Sequence, residues 1–205
     1  MKKSLILLLS FFLINILLFS ATINVRAGNV RGGENQYILT DNVLIQKGDL
    51  SITTNHATIT LINNEWRNVK TNEVSIKSES FESKALLMDF DLQMEKGLLK
   101  GEVISKILLE DSTIEIICDE MQFDNINKIY EGNSNNLVTI TKSDYFIYSK
   151  KFRYEEEKNL LNLMEEVHII NKAKKIDMKS EKATFDTITE EIEATTVDLT
   201  LEVGD

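Results

Sequence analysis

The residues able to do chemistry are few and scattered. The two histidines, His56 and His168, stand 112 residues apart, and Cys118 is the only cysteine. A zinc site needs more nitrogen or sulfur ligands than these three supply. Each histidine falls on the polar phase of its segment, which puts a solvated imidazole there. Asp89 and Asp91 straddle Phe90 and share one strand face, the spacing a carboxylate pair would need. Two charged residues facing water account for them as well. No Gly-x-Ser-x-Gly, P-loop or dinucleotide fingerprint occurs. A lone cysteine excludes an intramolecular disulfide, and Cys118 reads as a small packed side chain. The sequence therefore points to no enzyme, no metal and no cofactor.

What the sequence does carry is a period. From Asp41 to Leu61 polar and apolar residues largely alternate, with a break at Gln46–Asp49. Alternation means a strand with one buried face, and the Lys-Gly-Asp break means a hairpin. Leu50, Ile52, Thr54 and Ala57 sit at offsets 0, 2, 4 and 7. The same offsets give Val74-Ile76-Ser78-Phe81, Ile114-Ile116-Cys118-Met121, Tyr145-Ile147-Ser149-Phe152 and Ile176-Met178-Ser180-Ala183. The last three copies start 31 residues apart. In those three an aromatic and an acid follow: Phe123-Asp124, Tyr154-Glu155 and Phe185-Asp186. Such repetition predicts an all-β domain built from repeated hairpins. Two segments fit the period less well. Phe81–Leu109 reads as one wide hairpin around Glu95-Lys96-Gly97. Glu155–Val167 could line a helix face, but the 31-residue register predicts a strand, a turn at Glu156–Asn159 and a strand. Trp66 is placed in an Asn63–Asn68 loop, packed over a sheet end.

Asp41-Asn42-Val43, the turn at Lys47-Gly48-Asp49 and Leu50-Ser51-Ile52-Thr53-Thr54-Asn55-His56-Ala57 resemble the LptA/OstA-like periplasmic lipopolysaccharide-transport family. That family writes Gly-Asn-Val, a Gly-containing turn, then Ile-x-Ala-Asp-x-Ala. Here Asp41 replaces the Gly, Thr54 the first Ala and Asn55 the Asp. The likeness runs roughly from Tyr37 to Val203 and is dense at 41–57, 114–140 and 176–197. It implies an open, twisted β-jelly roll of two facing antiparallel sheets that holds lipid between them. It also implies a periplasmic location, LptC-like and LptD-like transport partners, an ABC transporter at the inner membrane as motor and a β-barrel at the outer one.

Met1-Lys2-Lys3 and the apolar run Leu5–Phe19 form a signal peptide, 1–27, with cleavage after Ala21 or Ala27. The alternative is an N-terminal anchor, as in an LptC-like component. Spanning needs about 20 apolar residues and the run is short of that. Residues 28–35 read as a flexible lead-in, and 36–205 as one domain. The formal charge of −10 becomes −13 without Lys2, Lys3 and Arg26. Such acidity argues against nucleic acid or an anionic bilayer as a surface partner, because those need basic patches.

The buried faces of the strands would share one interior: Val43, Ile45, Ile52, Ile59, Ile116, Phe123, Ile140, Ile147, Phe152, Met178 and Phe185. In an ordinary sandwich this is a filled core, and the protein is then a structural β-repeat protein. Splayed along one side it is a groove for acyl chains of lipopolysaccharide or a similar glycolipid, and the resemblance favours the groove. The first clear strand, Tyr37–Ile45, and the last, Thr195–Val203, are open edges. Val197, Leu199 and Leu201 alternate on the last one and are the residues expected to carry head-to-tail self-association.

Overall fold

The structure, a computed structural model, describes residues 22–201. The run Leu5–Phe19 lies outside them. Among the described residues fourteen strands make a single antiparallel sheet in which almost every strand pairs with its neighbour in sequence. The ten long ones are β3 (Gln36–Lys47), β4 (Leu50–Ile62), β5 (Glu65–Lys77), β6 (Phe81–Asp91), β7 (Lys96–Leu108), β8 (Thr113–Asp124), β9 (Ile129–Lys142), β10 (Tyr145–Glu155), β11 (Leu160–Asn171) and β12 (Ile176–Asp186). Four short strands finish the edges: β1 (Ile23–Arg26), β2 (Asn29–Gly32), β13 (Ile192–Thr195) and β14 (Asp198–Leu201).

Pairing is interrupted near the middle of every long strand: at Thr40/Val43, Lys84/Leu87, Lys100/Val103, Ile117/Glu120, Ser149/Lys151 and Met164/Val167, among others. Asp41, Asn42, Glu73, Gly101, Glu102, Glu165 and Glu166 take positive φ there. A bulge bends its strand and sharpens the local twist. Seven such shifts among the described strand pairs fold the sheet along one line into two facing arms. Arm A begins with the Gln36–Thr40 half of β3, arm B with the Val43–Lys47 half. The sheet is open and does not close into a barrel.

The odd spacing in the repeat is this bulge. Offsets 0, 2 and 4 lie on arm B and offset 7 on arm A. The extra residue shifts the phase so that both halves keep their apolar residues inward. The residue at offset 4 is small because it sits at the fold line: Thr54, Cys118, Ser149 and Ser180 are all buried there. One assignment is corrected. Val74-Ile76-Ser78-Phe81 spans the β5–β6 turn and is not a copy of the unit. The true copy is Phe81-Ser83-Ala85-Met88, all four buried, followed by Phe90-Asp91. The units then start at Leu50, Phe81, Ile114, Tyr145 and Ile176, spaced 31, 33, 31 and 31 residues.

The acid after the aromatic closes the turn. Asp91 accepts the backbone N–H of Gln93 (2.9 Å) and Met94 (2.8 Å). Asp124 does the same for Ile126 and Asn127, and Asp186 for Ile188 and Thr189. This is the turn a side-chain carboxylate makes by standing in for a backbone carbonyl. Glu155, one methylene longer, is followed by a single 3-10 turn at Glu156–Lys158. So 155–167 is strand, turn, strand, as the register required. The hairpin expected around Glu95-Lys96-Gly97 is β6–β7, with its turn at Leu92–Glu95. The run Leu86-Leu87-Met88 does not alternate because the bulge falls on it: Leu86 and Leu87 are exposed and Met88 is buried.

Three expectations change. Trp66 is in β5, not a loop, and stacks on Tyr37 with centroids 5.3 Å apart. The stretch 28–35 contains β2, and β1 precedes it. Both pair with β3, so Tyr37–Ile45 is not the N-terminal edge. The last strand is broken at Thr196, whose φ is 58°, into β13 and β14.

Candidate functional site

All eleven interior residues named from the sequence lie in one core. Val43, Ile45, Ile52, Ile59, Ile116, Phe123, Ile140, Ile147, Phe152, Met178 and Phe185 are each at most 5% exposed. The core runs unbroken from Leu39 on β3 to Phe185 on β12. Its middle is filled by aromatic contacts across the arms. Phe81, on arm B, lies 5.2 Å from Phe123 and 5.1 Å from Tyr130, both on arm A. Tyr145 on arm B meets Phe185 on arm A edge-on at 4.9 Å. Tyr130 and Tyr154 stack at 6.2 Å, Phe90 and Phe123 at 5.6 Å. Pattern-reading missed Phe81, Phe90, Tyr130, Tyr145 and Tyr154 as interior candidates, although all but Tyr130 sit at an inward offset of their unit.

Two glycines make room for this stack. Gly97 stands opposite Phe123 and Gly132 opposite Phe152 in the strand pairing. A Cβ on either would overlap the facing ring. The phenyl groups lie over bare backbone, the close approach only glycine permits.

The arms meet along the tips of their hairpins, and polar contacts hold them together at two places. At the N-terminal end Lys47 Nζ donates to Leu92 O (2.8 Å) and pairs with Glu95 (2.7 Å). Glu95 also accepts from Asn125 Nδ2 at 2.8 Å. At the C-terminal end Glu190 takes Lys142 at 3.4 Å and Lys174 at 2.7 Å. Lys174 also lies 5.3 Å from the Tyr145 ring centroid. Between these points a cleft of about 690 Å³ separates the β7–β8 turn on arm B from the tips of arm A. Glu156, at its wall, has its carboxyl pushed above the usual range by burial, against the opposing pull of Lys128 and a hydrogen bond from Tyr130.

The chemistry-bearing residues do not converge. His56 is exposed, and His168 bonds Asp177 at 2.7 Å on the outer face. Asp89 pairs with Lys70 and Asp91 with Arg67. Burial drives the Cys118 thiol up to about 12, so it is not a nucleophile at neutral pH. Among the described residues no group of three His, Cys, Asp or Glu could hold a metal.

Two of the three residues named from the sequence as assembly-edge candidates are exposed. Val197 is 47% and Leu199 48% exposed. Only Leu199 and Leu201 lie in β14, where they pair with Met178 and Ile176, while Val197 lies in the break before it.

Residues 22–124 match the family model described as LptA/(LptD N-terminal domain) LPS transport protein. No curated protein matches. Among solved structures, the chain is similar to LptH, the LptA homologous periplasmic component of the lipopolysaccharide transport device of Pseudomonas aeruginosa. The identity is 13%, the match covers 89% of this chain and 96% of that one, and the TM-score is 0.26, too low to specify a shared geometry.

Proposed function

Since the chain belongs to the LptA/(LptD N-terminal domain) family of LPS transport proteins, we propose that it is a non-enzymatic carrier that shields lipopolysaccharide acyl chains between its two arms. Its place is the periplasm. The observation that supports this reading is the interior: one unbroken apolar layer, from β3 to β12, between arms joined at their free tips by contacts of Lys47 and Glu190. An acyl chain of about 12 carbons costs roughly 10 kcal/mol to expose to water, at about 0.8 kcal/mol per CH₂. Isoleucine, phenylalanine and methionine surfaces offset most of that cost once the arms part to admit it. The free edges suit strand addition, C-terminal β13–β14 of one molecule on N-terminal β1–β2 of the next or of an LptC-like or LptD-like partner. Such contacts do not close on themselves and would join the interiors into one path. With no nucleotide fingerprint in its sequence, the carrier takes its direction from a separate motor.

The test is photo-crosslinking with benzoylphenylalanine at Phe123, Phe152 and the outward Phe146, which is 43% exposed. With purified lipopolysaccharide, adducts are expected at Phe123 and Phe152 and not at Phe146. Adducts at Phe146 alone, or at none of the three, would remove the reading.

A further inference from the structure

The outer face of the sheet is laddered by ion pairs between neighbouring strands. Lys70 meets Asp89 at 3.3 Å, Lys100 meets Glu120 at 2.9 Å, Lys106 meets Glu115 at 2.6 Å and Lys151 meets Glu165 at 2.6 Å. One stretch beside the fold line differs. There a groove of about 620 Å³ crosses β3 to β7 on the outside. Its floor is low because Thr53 and Ser75, which face each other in the pairing, are small. Half-buried Leu44 stands at one end, and Leu86 and Ile104, 44% and 51% exposed, stand at the other. Ile117, opposite Ile104 in the pairing and 53% exposed, continues the apolar surface onto β8.

The charges lining this groove are few. Glu73 and Glu102 are exposed, and each takes a φ of 49° at the bulge of its strand. They therefore hold equivalent places on β5 and β7, two strands and about 10 Å apart. Among the described residues neither carboxylate forms an ion pair, unlike the acids of the ladders. Lys84, on β6 between them, is the one cation of the lining. The groove thus presents two carboxylates to one ammonium, on a chain whose formal charge is −10. Its complement is an apolar surface with positive charge along the edge.

We propose that this outer groove docks an amphipathic α-helix of a partner protein, apolar on its buried side and basic along its edge. From β3 to β7 the groove spans about 19 Å, the length of about 13 helical residues. Lysine or arginine at positions i and i+7 of the helix, about 10.5 Å apart along its axis, reaches Glu73 and Glu102. Apolar residues at i+3 and i+4 lie between them, over Leu86 and Ile104. The contact uses neither the interior between the arms nor a free strand edge. It goes beyond the carrier reading and stands whether or not that reading holds.

The probe is a synthetic, fluorescein-tagged helical peptide of about 14 residues, with leucines along one stripe and two lysines seven positions apart. A second peptide carries glutamates in place of those lysines. Fluorescence anisotropy reads the binding of each to the purified protein. The lysine peptide is expected to bind and the glutamate peptide to bind far more weakly. Glu73→Gln with Glu102→Gln is expected to weaken the lysine peptide about fivefold, as two exposed ion pairs would, and to flatten its salt dependence. Ile104→Asn, at an exposed position that circular dichroism can show to leave the fold intact, is expected to weaken both peptides. Lys84→Gln is expected to tighten the lysine peptide. Equal binding of the two peptides, wild-type affinity in either weakening variant, or no binding at all would overturn the proposal. So would the loss in Ile104→Asn of self-association, which gives the groove to a second copy. Loss there of binding to phosphatidylcholine vesicles would overturn it too, and gives the groove to a bilayer.

Discussion

Asp124 and Asp186 hold their turns as carboxylates, and this makes stability depend on pH in a definite direction. Two backbone N–H groups, of Thr189 and Ile188, keep Asp186 below its ordinary 3.8. Burial raises Asp124, but the Asn127 N–H and amide and the Lys96 ammonium outweigh it, and the net shift is also downward. A carboxyl with a depressed folded value contributes stability that is present above the unfolded value near 3.8. That stability is lost as pH falls through the folded one. Glu156 has the opposite sign: burial raises it, so its charge is a cost at neutral pH that acid relieves. Asp124→Asn with Asp186→Asn keeps the oxygen that accepts the turn N–H groups and removes the titration. The double variant is expected to lose less stability than the parent between about pH 4 and pH 2 in thermal melts. An acid limb identical to the parent's would show that these turns are not its source. From the sequence the Phe-Asp step was visible as a recurring pair. Its role was not, because a capping contact depends on where the chain turns back.

At the level of elements the sequence disclosed the hairpins and hid their bend. Alternation counts as strand whichever way the strand curves, so β3 to β12 were legible as runs. The offset from 4 to 7 was also visible, but only the interrupted pairing identifies it as a bulge between two arms. The same phase slip made Val74-Ile76-Ser78-Phe81 look like a repeat unit, because a turn and a bulge both add odd residues. The edges were misread for a different reason. β1 and β2 are four residues each, too short for a periodic signal, and Thr196 breaks the last strand with a left-handed residue no pattern announces. If β13–β14 is the donor edge, a chain ending at Thr195 should keep its fold and lose self-association. Light scattering over a range of concentrations reads this directly. Growth of the truncated chain equal to that of the full one would exclude β14 from the contact.

For the whole molecule, the sequence left open a filled core or a lipid groove, and the described interior is packed, with Phe81, Phe123 and Tyr130 meeting across it. A carrier reading therefore requires motion: the arms must part along the seam between Lys47–Glu95 and Glu190. Interiors are close-packed, and a gap forfeits contacts on both walls. On that reading the arms pack on one another, and lipid must itself fill what it opens. On the carrier reading, lipid loading turns on the parting of the arms along this seam. Its most direct measurement is the distance between spin labels at Ser112→Cys and Glu157→Cys, on opposite sides of the cleft, by double electron–electron resonance. Cys118→Ser supplies the background, a change the fold line already accommodates at Ser149 and Ser180. Adding purified lipopolysaccharide is expected to lengthen the distance as lipid loads. An unchanged distance in protein shown to hold lipopolysaccharide would contradict the account.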